Sequence, residues 1–156
     1  MDERGLKVNS TKMNELIEQY ANVYLFATKK IEHILAEKVI PMSVEQYGIL
    51  RVLDMKGAAT AKEVAEYTGV HKSAVTAKTT RLESKGLVKR TQSDQDRRHI
   101  KIELTEEGKK IYDQSKEAMA EFIAVYFKQL EADEVENFLN VYKKINKMLE
   151  QENQTL

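Results

Sequence analysis

At 156 residues, with 42% hydrophobic and 32% charged side chains, the chain is of ordinary single-domain size and has enough apolar material for a core. Six glycines and a single proline point to a soluble, helix-rich protein with few loops, and the absence of cysteine leaves no disulfide, zinc-thiolate site or thiol switch. Lys and Arg balance Asp and Glu at 25 each; no apolar run is long enough to cross a bilayer and residues 1–9 carry no apolar signal core, so no membrane partner and a cytoplasmic location are expected.

From Thr11 to Val39 the residues Met13, Leu16, Ile17, Tyr20, Val23, Tyr24, Ala27, Ile31, Ile34 and Leu35 keep a three-and-four spacing, which predicts one long amphipathic helix capped by Ser10 or Thr11 and ended before Pro41. Such a helix is about 40 Å long at 1.5 Å per residue, more than a small globule covers by itself, so part of its stripe is expected to meet another subunit. Ser43 opens a second helix with Glu45 and Gln46 in its first turns and Tyr47, Leu50, Val52 and Leu53 inside, ending near Gly57. Thr60 caps a short third helix, TAKEVAEYTGV, for which Val64, Ala65 and Tyr67 supply the packing surface, and Gly69 supplies a tight turn.

From Lys72 to Lys85 the positions Val75, Thr79 and Leu82 form one buried stripe, and the remaining positions are, apart from Glu83, hydroxyl-bearing, basic or alanine. Gly86 stops this helix. Leu87–Thr91, a polar turn over residues 92–98, and the alternating segment His99, Ile100, Lys101, Ile102, Glu103, Leu104 predict a two-stranded ribbon with arginines at its tip. Thr105 then caps a long helix to Leu130, with Glu106 and Glu107 in the first turn where the helix dipole favours acids. After a break over residues 131–133, Val135, Phe138, Leu139, Tyr142, Ile145, Met148 and Leu149 mark a last amphipathic helix. The expected organisation is therefore a dimerisation helix over residues 1–40, a winged helix-turn-helix over 41–104, dimerisation helices over 105–150 and a frayed tail over 151–156. The fold class is mainly α with a small β-wing.

The neutral total conceals a local imbalance. Residues 69–102 hold nine Lys or Arg against three acids, whereas residues 103–156 hold seven against twelve. Cations gather on the helix and ribbon that a phosphate backbone would meet. On the face left free by Val75, Thr79 and Leu82, the side chains Lys72, Ser73, Thr76 and Ala77 lie near the helix start and suit base edges. Lys62, His71, Lys78, Thr80 and Arg97 suit phosphate. Arg81 has two readings, a phosphate contact or an internal tie to an acid such as Glu63. In the wing, Asp96 can hold Arg98 extended for entry into a minor groove, the alternative being a surface ion pair of little worth.

The runs RLESKGLVKR, DRR and IELTEEGKK, in that order and spacing, resemble the MarR family of bacterial winged-helix transcription regulators, and the resemblance extends over nearly the whole chain. It implies an obligate homodimer with interlocked terminal helices, each subunit presenting one winged module to a pseudo-palindromic double-stranded operator. It also implies repression relieved by a small ligand, often an anionic aromatic compound, and makes the second arginine of DRR, Arg98, the groove-inserting one. For such an effector the resemblance points to the cleft between dimer layer and winged module, where Tyr20, Tyr24, His33, Met42 and Tyr47 are candidates, each equally well explained as core. His33, His71 and His99 are scattered and no nucleophile stands beside a base, so no metal, cofactor or enzymatic activity is expected. The expectation is a homodimeric, sequence-specific regulator; the rivals are a winged-helix protein-interaction module and a ligand-insensitive activator.

Overall fold

The computed structural model describes residues 10–92 and 100–153, and the chain divides into two compact units, residues 1–116 and 117–156. The long N-terminal spacing yields near-continuous helix, though not a uniform one. Helix α1 (Ser10–Asn22) passes through a π-helical turn (Val23–Ala27) into α2 (Thr28–Ile34) and a second π-helical turn (Leu35–Val39). At the first turn the Thr28 N–H and hydroxyl both donate to the Val23 carbonyl, the hydroxyl at 2.8 Å; at the second the Ile40 N–H donates to the Leu35 carbonyl at 2.9 Å. Each such turn takes in an extra residue and rotates the succeeding helical segment by about 100°. A three-and-four apolar spacing is too coarse to register that. Leu35 and Ile40 reach the core, but Leu16, Ile17, Tyr20, Val23, Tyr24, Leu25, Phe26 and Ile31 remain exposed in the single chain.

Helix α3 (Val44–Lys56) starts where the sequence expected it. The Ser43 hydroxyl accepts the Gln46 N–H and the Gln46 side chain accepts the Ser43 N–H, each at 3.1 Å, which satisfies two of the first turn's free donors. Its buried face, with Ile49, Leu50 and Leu53 almost wholly out of water, is the centre of the core; each such side chain contributes about 1.5–3 kcal/mol. Next comes a strand that the sequence pattern does not predict, β1 (Ala58–Thr60). With β2 (Val88–Gln92) and β3 (Ile100–Leu104) it makes a three-stranded antiparallel sheet of order β1-β3-β2, in place of the expected two-stranded ribbon. Its three residues are too few to show a period. Pairing across β3 sets Ala59 opposite Ile102, and both are buried.

Between β1 and β2 lie α4 (Ala61–Thr68) and α5 (Lys72–Ser84). Val64 from α4 and Val75, Thr79 and Leu82 from α5 are fully buried against α3, as their spacing predicted. Tyr67 is not: it lies exposed on α4 with the Lys56 ammonium 4.4 Å above its ring, an arrangement in which the aromatic face is used by a cation instead of by the core. Helix α6 (Glu106–Phe127) begins in the first unit, where Tyr112 stacks on Tyr47 of α3 with ring centroids 5.4 Å apart. In the second unit Phe127 meets Phe138 edge-on, and Phe138 lies 4.5 Å from Tyr142. Helix α7 (Ala132–Asn153) continues through Gln151 into the tail expected to fray, since no glycine or proline interrupts it. Among the described residues no helix is long and apolar enough to cross a membrane.

Candidate nucleic-acid interface

Local chemistry fixes the direction of α5. The Thr60 hydroxyl accepts the Glu63 N–H at 3.2 Å while Glu63 accepts the Thr60 N–H at 2.7 Å and its hydroxyl at 2.9 Å, a capping box that starts α4. The Thr60 backbone N–H, and then its hydroxyl, hold the Glu63 carboxyl below the usual carboxylate range. Gly69, at φ 66°, ends α4 in the left-handed conformation that other residues reach only with strain. His71 caps α5, its ring Nδ1 lying 3.5 Å from the Ser73 N–H and 2.9 Å from the Ser73 hydroxyl. The result is a short helix, a glycine turn and a second helix whose first turn faces solvent.

All four residues expected at base edges, Lys72, Ser73, Thr76 and Ala77, are exposed on that turn and the next. The Thr76 hydroxyl donates to the Lys72 carbonyl at 3.0 Å and the Thr80 hydroxyl to the Thr76 carbonyl at 3.0 Å; the Thr76 oxygen keeps acceptor capacity for an outside donor. Lys72, Arg81 and Lys85 are exposed and make no ion pair among the described residues. Arg81 is thus not tied to Glu63, which is occupied by Thr60 and lies 3.8 Å from Lys56. Lys62 faces Glu66 at 3.8 Å in a solvated pair that leaves the ammonium accessible.

Other cations are committed inward. Lys78, assigned to phosphate on sequence grounds, is half-buried and paired with Glu45 of α3. Arg90 of β2 bonds to Glu83 and, at 3.0 Å, to the Thr80 hydroxyl, so Thr80 is also engaged within the chain. Lys89 pairs across the sheet with Glu103 at 3.0 Å, the two being register partners. Sequence spacing gave no sign of the Lys78 and Arg90 pairings, because each joins elements brought together only by the fold. Asp96, Arg97, Arg98 and His99 lie outside the described residues.

Beneath the ribbon, Thr105 joins three segments. Its N–H donates to the Leu87 carbonyl at 3.1 Å, its hydroxyl donates to Gly86 at 2.6 Å and accepts the Gly108 N–H at 2.9 Å. Lys109, one residue on, reaches Asp54 at 2.7 Å and Asp113 at 2.8 Å, which keep its ammonium above the usual lysine range, Asp113 contributing first. These contacts seat the start of α6 on the winged module.

The five effector candidates are not gathered into one recess. Met42 and Tyr47 are core residues; burial, and then the adjacent Tyr112, push the Tyr47 phenol above its ordinary pKa. Tyr20 is 67% exposed and stacks on the exposed Tyr24 at 6.0 Å, and His33 lies on the surface 3.3 Å from Glu37.

A helix-turn-helix followed by an antiparallel ribbon defines a winged-helix nucleic-acid-binding protein. The family model described as "MarR family" matches residues 42–100. The HTH-type transcriptional regulator YwhA of Bacillus subtilis is 29% identical over 93% of this chain and 99% of its own length. Among solved structures, a MepR-like protein complexed with pseudoligands is 31% identical, with 84% of this chain and 92% of that one covered and a TM-score of 0.59. A MarR variant from E. coli complexed with operator DNA is 27% identical over 85% of this chain and 96% of that one, with a TM-score of 0.69. The chain belongs to the MarR family of DNA-binding transcription regulators, and is not an enzyme.

Proposed function

We propose that this regulator acts as a homodimer on a pseudo-palindromic operator and represses transcription until a small, flat ligand releases it. The observation that carries the proposal is the division of α5, with Val75, Thr79 and Leu82 buried on one side and Lys72, Ser73, Thr76 and Ala77 open to solvent on the other. Two copies related by a twofold axis present two such faces one duplex turn apart, about 34 Å. Support for the dimer comes from the exposed apolar side chains of α1, α2 and the first π turn, and from Phe138, Leu139, Tyr142, Ile145, Met148 and Leu149 of α7. An uncovered surface of that extent on a soluble protein marks an interface.

In this reading Lys62, His71 and Arg97 meet phosphate and Asp96 orients Arg98 toward the minor groove. The effector site is narrowed to the stacked and exposed Tyr20 and Tyr24, a flat aromatic surface that a partner subunit would have to close. A ligand acts by preferring a separation of the two α5 helices that does not fit DNA.

The test is selection of bound sequences from a random duplex library, followed by affinity measurements across salt. The expected outcome is an operator with two related half-sites and binding that weakens steeply with salt. No preference over random duplex at low salt overturns the proposal. Sedimentation of the free protein as a monomer at micromolar concentration removes its dimeric part.

A further inference from the structure

Helix α5 is held from two sides. Toward its middle, Lys78 pairs with Glu45 in the first turn of α3; at its end, Glu83 pairs with Arg90 of β2, which also reaches Thr80. At about 100° per residue, Lys78 lies within roughly 60° of Val75 and Leu82 around the axis and at least about 100° from Ser73, Thr76 and Ala77. It belongs to the flank of the buried stripe. Its side chain is 26% exposed and its partner 53%. Glu45 in turn lies at a helix N-terminus, where a negative charge is favoured independently of the lysine.

We propose that Lys78 is a positioning residue for base reading and does not contact phosphate. Together with the Glu83 to Arg90 pair, it fixes the rotation of α5 against α3 and β2, and so the angle at which Lys72, Ser73, Thr76 and Ala77 enter the groove. Hydrogen bonds to base edges weaken steeply with small changes of distance and angle, so a loosened α5 loses discrimination between sequences before it loses attraction to DNA. Moving Lys78 to a phosphate would break the Glu45 pair and draw the chain across its own helix. The inference rests on α5 being the base-reading helix.

The experiment compares binding of the full chain to its selected operator and to a shuffled duplex of equal length, across salt. The variants are Lys78→Met, Glu45→Gln, Lys78→Arg and the double exchange of Glu45→Lys with Lys78→Glu, with thermal midpoints recorded for each. Lys78→Met and Glu45→Gln each lower the ratio of operator to shuffled affinity by about two- to fivefold, the range an ion pair of this exposure supports. The salt slope stays unchanged in both, Lys78→Arg keeps the ratio, and the double exchange recovers it in part, because the start of α3 disfavours a cation at position 45. The inference is overturned if Lys78→Met weakens both duplexes alike with a slope smaller by about one per subunit, or if Glu45→Gln leaves the ratio intact. A wild-type ratio of one defeats the regulator reading itself; a ratio well above one with uniform loss in Lys78→Met defeats only the positioning role of Lys78.

Discussion

Gly108→Ala is the substitution for which helix propensity and packing predict opposite signs. Inside an α-helix, alanine is ordinarily better than glycine by about 1 kcal/mol, and Gly108 is in the first turn of α6. A Cβ there, however, falls 1.8 Å from the Leu87 carbonyl oxygen and 2.7 Å from its carbon. Those are backbone atoms of a buried segment, and the same carbonyl accepts the Thr105 N–H at 3.1 Å. Relief requires α6 to retreat from Leu87, which opens that bond and strains the Thr105 hydroxyl between Gly86 and Gly108. Overpacking costs about 1–3 kcal/mol and each lost hydrogen bond about 1 kcal/mol. Against the propensity gain the net loss is about 1–3 kcal/mol, a fall in melting midpoint of about 2–12 °C for a chain of this size. The assay is thermal and urea unfolding of both proteins at equal concentration, because self-association makes a midpoint depend on concentration. An unchanged or raised midpoint refutes the close approach of α6 to Leu87.

Glu63→Gln tests the cap of α4 through pH. The Glu63 carboxyl is held below its ordinary value of 4.5, so its contribution is complete above that value and is lost as pH falls through the lower, folded-state value; the gap in midpoint between wild type and variant is expected to be widest near neutrality and to close in acid. Lys72→Ala and Thr76→Ala are expected to change which bases are selected at one half-site position, by about 1–3 kcal/mol, as read by repeating the library selection; uniform weakening on every sequence makes either residue a phosphate contact. Arg98→Ala is expected to lower operator affinity with little change in melting midpoint, measured on the same preparations, and a large loss of stability places Arg98 in the structure instead of the groove.

Much of this fold was legible because its signals are local. Ser43 and Thr60 each stand three residues before a side chain that can return the hydrogen bond, and both capping boxes form. Val75, Thr79 and Leu82 announced the buried side of α5 by period alone, and the exposed face followed by subtraction. What escaped has the opposite character. Strand β1 has three residues and exists because β3 offers its free edge. The π turns at Val23 and Leu35 alter hydrogen bonding without altering composition. Tyr67 was placed inside on its hydrophobicity, yet the nearby Lys56 gives its ring a partner at the surface. For Gly108 the signal was present, a glycine inside an otherwise helical pattern, a placement that costs stability unless something needs the missing side chain.

Charge shows where a sum over sequence misleads about a site. Residues 69–102 carry nine cations and three acids, but Glu45 and Glu103, outside that window, are folded against Lys78 and Lys89, while Glu83, inside it, is taken by Arg90. A cation already paired within the protein releases fewer counterions from DNA when it binds, because it must exchange one anion for another. The salt dependence is therefore expected to follow the cations left open, Lys72, Arg81, Lys85 and Lys101 among the described residues together with the solvated Lys62, and to fall short of a slope counted from all nine. The paired ones have a different consequence. Lys78 and Arg90 lie on the flanks where α5 meets α3 and β2, so two of the charges that do not pull on DNA are the ones that determine how α5 is held when it arrives.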